Sequence, residues 1–286
     1  MRFVSLCHYI GIAFFGMFKR AISQGAAKMT IICQISRYSF KYAYPLNQIS
    51  YLSKKFDIMA ILKLKSEKVK AIVLFSTGAF VAAAAMYFSE TGPACRIAFP
   101  LTILTIASMW LTPWQITLAM LFSALGDLFG SEGSFIMQMG AFAIAHIWLI
   151  CFFIQRYLTK VSGDKRLTAK MKGYVMLVAI WTLALLGFVF TKIVPEAPAG
   201  IIRTGTGIYA CIICCMLIVA MLQRSTLYAL GAILFVFSDF ILAWNMFTEA
   251  IPHAGYLIMI PYYIGQWLLF VRSTPYRIEG LRLHRM

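Results

Sequence analysis

Between residues 71 and 271, apolar runs of membrane length recur eight times, each separated from the next by a short polar break or a proline. A helix needs about 20 apolar residues to cross a hydrocarbon core, and in lipid each backbone N–H and C=O must be bonded internally. The chain is therefore expected to be all-α, a polytopic membrane helical bundle of eight transmembrane helices. The spans read as 71–88, 97–111, 114–130, 135–157, 174–191, 205–222, 227–247 and 255–271. Pro100 falls in the first turn of the second span, where a helix tolerates proline. Thr112-Pro113 leaves almost no link before the third. With 61% hydrophobic and 13% charged residues, the chain has little with which to clothe a soluble surface.

The net charge of +16 raises nucleic acid as a partner, but the distribution of the charge excludes it. Basic residues collect in alternate loops and near the two ends, without the interleaved aromatics of a nucleic-acid module. Counting the loops gives fifteen Lys/Arg on one side, among them Lys68, Lys70, Arg156, Arg224 and Arg272. The other side has three, Arg96, Lys192 and Arg203. Such an asymmetry predicts that the basic side and both termini are cytoplasmic. Compact loops and the absence of sorting signals point to a bacterial inner (cell) membrane. Residues 1–58 read as a basic, poorly patterned extension, and 59–286 as the membrane domain; the working protein is expected to begin at Met59, with MAILKLKSEKVK as its lead-in. Cys95, Cys151, Cys211, Cys214 and Cys215 lie in or beside apolar runs, where Cys behaves as a small hydrophobe. The Cys211/Cys214 spacing lacks the second pair a zinc or redox site would need.

Two acids interrupt this pattern. Asp127 stands inside LFSALGDLFG and Asp239 inside LFVFSDFILAWNMF. An aspartate at membrane depth costs about 2.5–3.5 kcal/mol on insertion, so it persists for function or for helix contact. Counted at 1.5 Å per residue, both sit about 18–20 Å from the inner edge of a core roughly 30 Å thick. His146 and Gln266, on the spans that follow, fall in the same slab. The two halves thus read as a parallel repeat. On the third span Ser123, Ala124, Asp127 and Gly130 share a face; on the seventh, Ala232, Asp239 and Ala243 do, with Ser238 beside the acid. Two carboxyls in one low-dielectric cavity cannot both ionise cheaply, which leaves a protonated acid beside an ionised base. Such a pair can protonate a substrate and activate water. Histidines are too scattered for a metal site and no G-x-S-x-G elbow occurs, so neither metal nor serine chemistry is expected. Trp148, Trp244, Trp267, Tyr262 and Tyr263 read as interfacial-belt or packing residues, some able to line a headgroup pocket.

In order along the chain, FSALGDLFG, GAFAIAH, Tyr209 with Met216 seven residues later, GAILFVFSDFILAW and YYIGQWL resemble the YhhN family of eight-span membrane proteins, which includes transmembrane lysoplasmalogenases. The resemblance implies hydrolysis of the vinyl ether bond of lysoplasmalogens, lysophospholipids of the membrane, to a fatty aldehyde and glycerophosphocholine or glycerophosphoethanolamine. It implies Asp127 and Asp239 as the catalytic acids and no cofactor or metal. Ser123, His146, Tyr209, Ser238, Asn245, Tyr263 and Gln266 make up the expected substrate-binding set. Two positions depart from the family pattern. Phe99-Pro100 stands where a Lys-Pro pair is expected, with Arg96 one turn away, and Gly265-Gln266 stands for Ala-Gln. Two other readings remain open on the residues alone: a proton-coupled membrane transporter, since paired intramembrane acids also mark proton relays, and a non-catalytic lipid-binding membrane protein.

Overall fold

The structure is a computed structural model and describes residues 67–90, 92–161 and 169–283. The expected extension over 1–58, the start at Met59 and part of the basic loops lie outside the described residues. Those residues form α1 (Glu67–Phe88), α2 (Phe99–Leu111), α3 (Trp114–Ser131), α4 (Phe135–Arg156), α5 (Ala169–Lys192), α6 (Ile201–Met221), α7 (Thr226–Phe247) and α8 (Ala254–Leu283). Single turns of 3₁₀ helix lead into α2 (Ala94–Ala98) and precede α6 (Val194–Glu196). No strand occurs among the described residues. The chain is thus an all-helical, multi-pass integral membrane protein.

Among the described residues, seven spans are long and apolar enough to cross a membrane; the remaining helix, α3, is the one that carries Asp127. The helices wear their apolar residues outward. On α1, Leu74, Phe75 and Val81 face out, while Val73, Ser76, Phe80 and Ala83 form the buried stripe. α5 packs mainly on α6 and exposes Met176, Trp181 and Leu183, whereas its Thr182 is buried. Lipid tails are as apolar as leucine, so the inside of such a bundle is held by close contact and hydrogen bonds. Buried hydroxyls turn back onto their own helices: Ser76 donates to the Ile72 carbonyl at 2.7 Å and Thr105 to the Leu101 carbonyl at 2.8 Å. Bonding of this kind satisfies a polar group without a partner helix.

Pairing of the helices repeats. α1 packs on α2, α2 on α3 and α3 on α4; α5 packs on α6, α6 on α7 and α7 on α8. Between the halves, α4 lies on α6 and α8 lies on α2. Exchanging the halves converts one cross-contact into the other, as a pseudo-two-fold axis would. The backbones of α7 and α8 approach each other closely. A Cβ on Gly265 would stand 2.9 Å from the Gly231 carbonyl oxygen, and one on Gly231 would stand 3.0 Å from the Gly265 oxygen. Glycine at 265 instead of alanine therefore has a steric reason.

One end of the bundle, called lower below, is where α4 and α8 arrive and α7 begins. Arg156 donates to the Gln223 carbonyl at 3.0 Å and to its Oε1 at 2.7 Å, and Gln223 Nε2 donates to the Phe153 carbonyl at 2.9 Å. The guanidinium carbons of Arg156 and Arg272 lie 5.4 Å and 5.5 Å from the Tyr228 ring centroid. At the opposite, upper end the α7–α8 loop is tied by Asn245 Oδ1, which accepts the Ile251 N–H at 2.8 Å.

Candidate active site

Asp127 lies thirteen residues into α3 and Asp239 thirteen into α7. At 1.5 Å per residue both carboxyls stand about 20 Å above the lower ends of their helices. Asp127 is 2% and Asp239 8% exposed, so neither has bulk water to solvate it. Each accepts a tyrosine hydroxyl instead: Tyr262 donates to Asp127 Oδ2 at 3.1 Å, and Tyr209 donates to Asp239 Oδ2. These partners come from different helices, α8 for Asp127 and α6 for Asp239. Around Asp127 the network continues on α8, where Gln266 Nε2 donates to Ser123 Oγ at 2.9 Å.

Rings fill the space between the two acids. Tyr262 packs edge-on against Phe235 at 5.3 Å and Phe142 at 5.8 Å. Phe235 in turn meets the His146 ring at 4.4 Å, and His146 meets the Tyr209 ring at 5.6 Å. Contacts thus run unbroken from Asp127 through Tyr262, Phe235, His146 and Tyr209 to Asp239. Gly126 lets Phe142 lie against α3, since a Cβ there would fall 2.8 Å from the ring.

His146 is wholly buried, with Nδ1 2.7 Å from the Phe142 carbonyl. A carbonyl only accepts, so Nδ1 carries the proton. Nε2 then bears the lone pair, and it is buried without a hydrogen-bond partner. Such an acceptor inside a hydrocarbon-like wall is costly unless a donor visits it.

The sequence led to the expectation of one hollow open to both carboxyls. In the structure a cavity opens on Asp239, and Asp127 is not in its lining. It measures about 30 Å³ and is lined by Asp239 and Tyr209 with Phe135, Met139, Phe142 and Phe247. That is room for a water molecule and not for a lipid. Asp127 stands apart from it, beyond Phe142 and Tyr262.

Of the other expected residues, Ser123, His146, Tyr209 and Gln266 join this cluster, and Ser238 is buried beside Asp239. Tyr263 turns away and donates to the Ile97 carbonyl at 2.8 Å, tying α8 to the turn before α2. Asn245 serves the loop described above and does not line the Asp239 cavity. Tyr262 and Tyr263 are each 3% exposed, so neither is a belt residue. Trp267 bridges α8 to α1 by donating to Thr77 Oγ1 at 3.1 Å. Phe142 and Phe235 carry no mark of a site residue in the sequence, and Tyr262 reads there only as a belt or packing residue; the structure makes it the partner of Asp127. A signal for the roles of Tyr262 and Phe142 exists: Tyr262 is one turn before Gln266, and Phe142 one turn before His146, on the same helix faces. Among the described residues, no three His, Cys, Asp or Glu side chains are grouped to hold a metal ion.

A multi-pass helical membrane protein with two buried, tyrosine-capped carboxyls at one depth is the class that this fold and site define. The YhhN family model matches residues 94–273, well over half the chain, and the chain belongs to the YhhN family. Among curated proteins it resembles lysoplasmalogenase TMEM86B of Mus musculus, at 27% identity over 177 residues, covering 60% of this chain and 67% of that protein. The Sus scrofa protein of the same name is 31% identical over 161 residues (55% and 63%), and that of Homo sapiens 28% over 156 (53% and 59%). The chain spans about two thirds or less of the length of these relatives. No solved structure gives a significant match.

Proposed function

We propose that this protein hydrolyses the vinyl ether bond of lysoplasmalogens, releasing a fatty aldehyde and a glycerophospho-headgroup, with Asp127 and Asp239 as its catalytic acids. The observation that carries this reading is the pair of buried carboxyls, joined by rings, of which one borders a space sized for water. A vinyl ether is cleaved by protonating its β-carbon, which leaves an oxocarbenium ion at the α-carbon. Water adds there, loses a proton, and the hemiacetal collapses to the aldehyde and the glycerol hydroxyl. Asp239, beside the water-sized cavity, takes the proton from that water. Asp127, held dry against Tyr262, supplies the proton to carbon. The proton taken by Asp239 balances the one given by Asp127, and His146, with its unpartnered Nε2 and its ring against Tyr209, holds it on the Asp239 side. A positioned acid and base of this kind contribute about 10²–10⁴-fold each to rate. In this reading the basic lower end faces the cytoplasm, which the positive-inside rule supports.

The test is aldehyde release from lysoplasmenylcholine and lysoplasmenylethanolamine by purified protein. Wild type should turn over, and Asp127→Asn and Asp239→Asn should each lose at least about 10²-fold while keeping their unfolding temperature. Near-normal turnover in either variant ends the paired-acid mechanism. The two-fold pattern of helix pairing also suits a proton-coupled carrier. Proton uptake by reconstituted liposomes, lost in Asp239→Asn without any aldehyde release, would favour that second reading.

A further inference from the structure

At the upper end, where α1 finishes and α8 begins, a cavity of about 130 Å³ is lined by Tyr87, Phe88, Glu90, Arg96, Gly255 and Tyr256. It shares no residue with the cavity at Asp239. Arg96 is anchored by one nitrogen, with Nη1 donating to the Gly92 carbonyl at 3.1 Å and to the Pro93 carbonyl at 3.4 Å. Its Nε is buried and has no partner. Glu90 lines the same cavity on a backbone with φ of 56°, yet the ion pair found among the described residues is Lys70 with Glu67. A cation and an anion thus border one space without meeting. Tyr256 stacks on Phe88 at 5.4 Å and 12°, offering an aromatic face beside Glu90.

Unlike charges held apart around an aromatic wall complement a zwitterion. A guanidinium with a free N–H suits a phosphodiester oxygen, and a carboxylate with ring faces suits an ammonium or quaternary nitrogen. We infer that this cavity is the headgroup subsite for a zwitterionic lysophospholipid, with Arg96 on the phosphodiester and Glu90 with Phe88 and Tyr256 on the cationic nitrogen. The inference rests on the substrate class proposed above and adds to it the residues that select the headgroup.

Depth supports the assignment. Tyr87 packs edge-on against Tyr263 at 6.0 Å, and Tyr263 lies at 5.5 Å from Tyr262, the partner of Asp127. From Tyr256 to Tyr262 the axis of α8 descends about 9 Å. In a lysophospholipid the phosphorus and the sn-1 ether oxygen are five single bonds apart, about 6–7 Å when extended. A headgroup seated on Arg96 therefore brings the ether bond down to the level of Asp127, and the water-sized space borders Asp239.

The test separates binding from turnover. Affinity is measured with acyl lysophosphatidylcholine, which lacks the vinyl ether, in detergent-solubilised full chain. Arg96→Ala should weaken binding at least about tenfold and Arg96→Lys should restore most of it. Glu90→Gln should weaken binding of the same probe, and glycerophosphocholine should compete where inorganic phosphate does not. Turnover of a headgroup-free 1-alkenylglycerol should be the same in Arg96→Ala as in wild type. Unchanged affinity in Arg96→Ala, or equal loss on the headgroup-free substrate, overturns the subsite. Equal competition by phosphate overturns the part assigned to Glu90 and the rings. If no alkenyl lipid is turned over but binding depends on Arg96, the hydrolase reading falls and the subsite stands.

Discussion

The hydroxyl of Tyr262 is one of a pair of adjacent tyrosines with opposite duties. Neighbours on a helix point about 100° apart, so Tyr262 reaches Asp127 while Tyr263 reaches the Ile97 carbonyl. Tyr262→Phe should lower kcat about tenfold or more by removing a hydrogen bond to a charged or proton-sharing group, with little change in KM. Tyr263→Phe should instead lower the unfolding temperature and leave kcat near wild type; the two variants assayed side by side check this. Equal kinetic effects would show that Tyr262 only packs. The two aspartates were legible from residue type alone, because an acid inside an apolar run is conspicuous. Tyr262 was not, since two tyrosines in succession near a helix start look alike until one knows which face meets α3. Asn245 shows the reverse error: a polar residue close to Asp239 in sequence whose oxygen is already taken by the Ile251 N–H.

For the elements, the contact between α7 and α8 is the most exacting. Gly231 and Gly265 bring the backbones together and so carry Asp239 and Tyr262 on one rigid pair of helices. Gly265→Ala would push its Cβ onto the Gly231 carbonyl and should cost about 1–3 kcal/mol, read as a lower unfolding temperature in detergent. Gly140→Ala, with open space around the added carbon, is the control and should be neutral or mildly stabilising. Helix positions themselves were readable from the apolar runs. Their ends were less so: α6 starts at Ile201, four residues before the apolar run over 205–222, because a helix continues through polar residues such as Arg203 and Thr204 that hydropathy discounts. The break before α2 takes the form of a 3₁₀ turn over Ala94–Ala98, which sets Arg96 at the mouth of the upper cavity.

Taken whole, the molecule has its described Lys68, Lys70, Arg156, Arg224 and Arg272 at one end and Glu90, Glu132, Glu196 and Glu249 at the other. Single cysteines at Arg224 and at Glu196, in a background lacking the native cysteines, should label from opposite sides of intact vesicles, with the position 224 thiol on the cytoplasmic face. Labelling of both from one side would overturn the antiparallel order of the hairpins. Membrane class, number of spans, depth of the two acids and the asymmetry of charge follow from the linear order of residues, because each depends on how many apolar residues lie between polar ones. Which helices touch does not depend on that count. The cross-contacts of α4 with α6 and of α8 with α2 decide that a tyrosine caps each carboxyl, that rings lie between them, and that the cavities at Asp239 and at Arg96 are separate. Those outcomes are set by the angular positions at which distant helices meet, and a one-dimensional pattern carries each helix's own faces without saying whose face lies opposite.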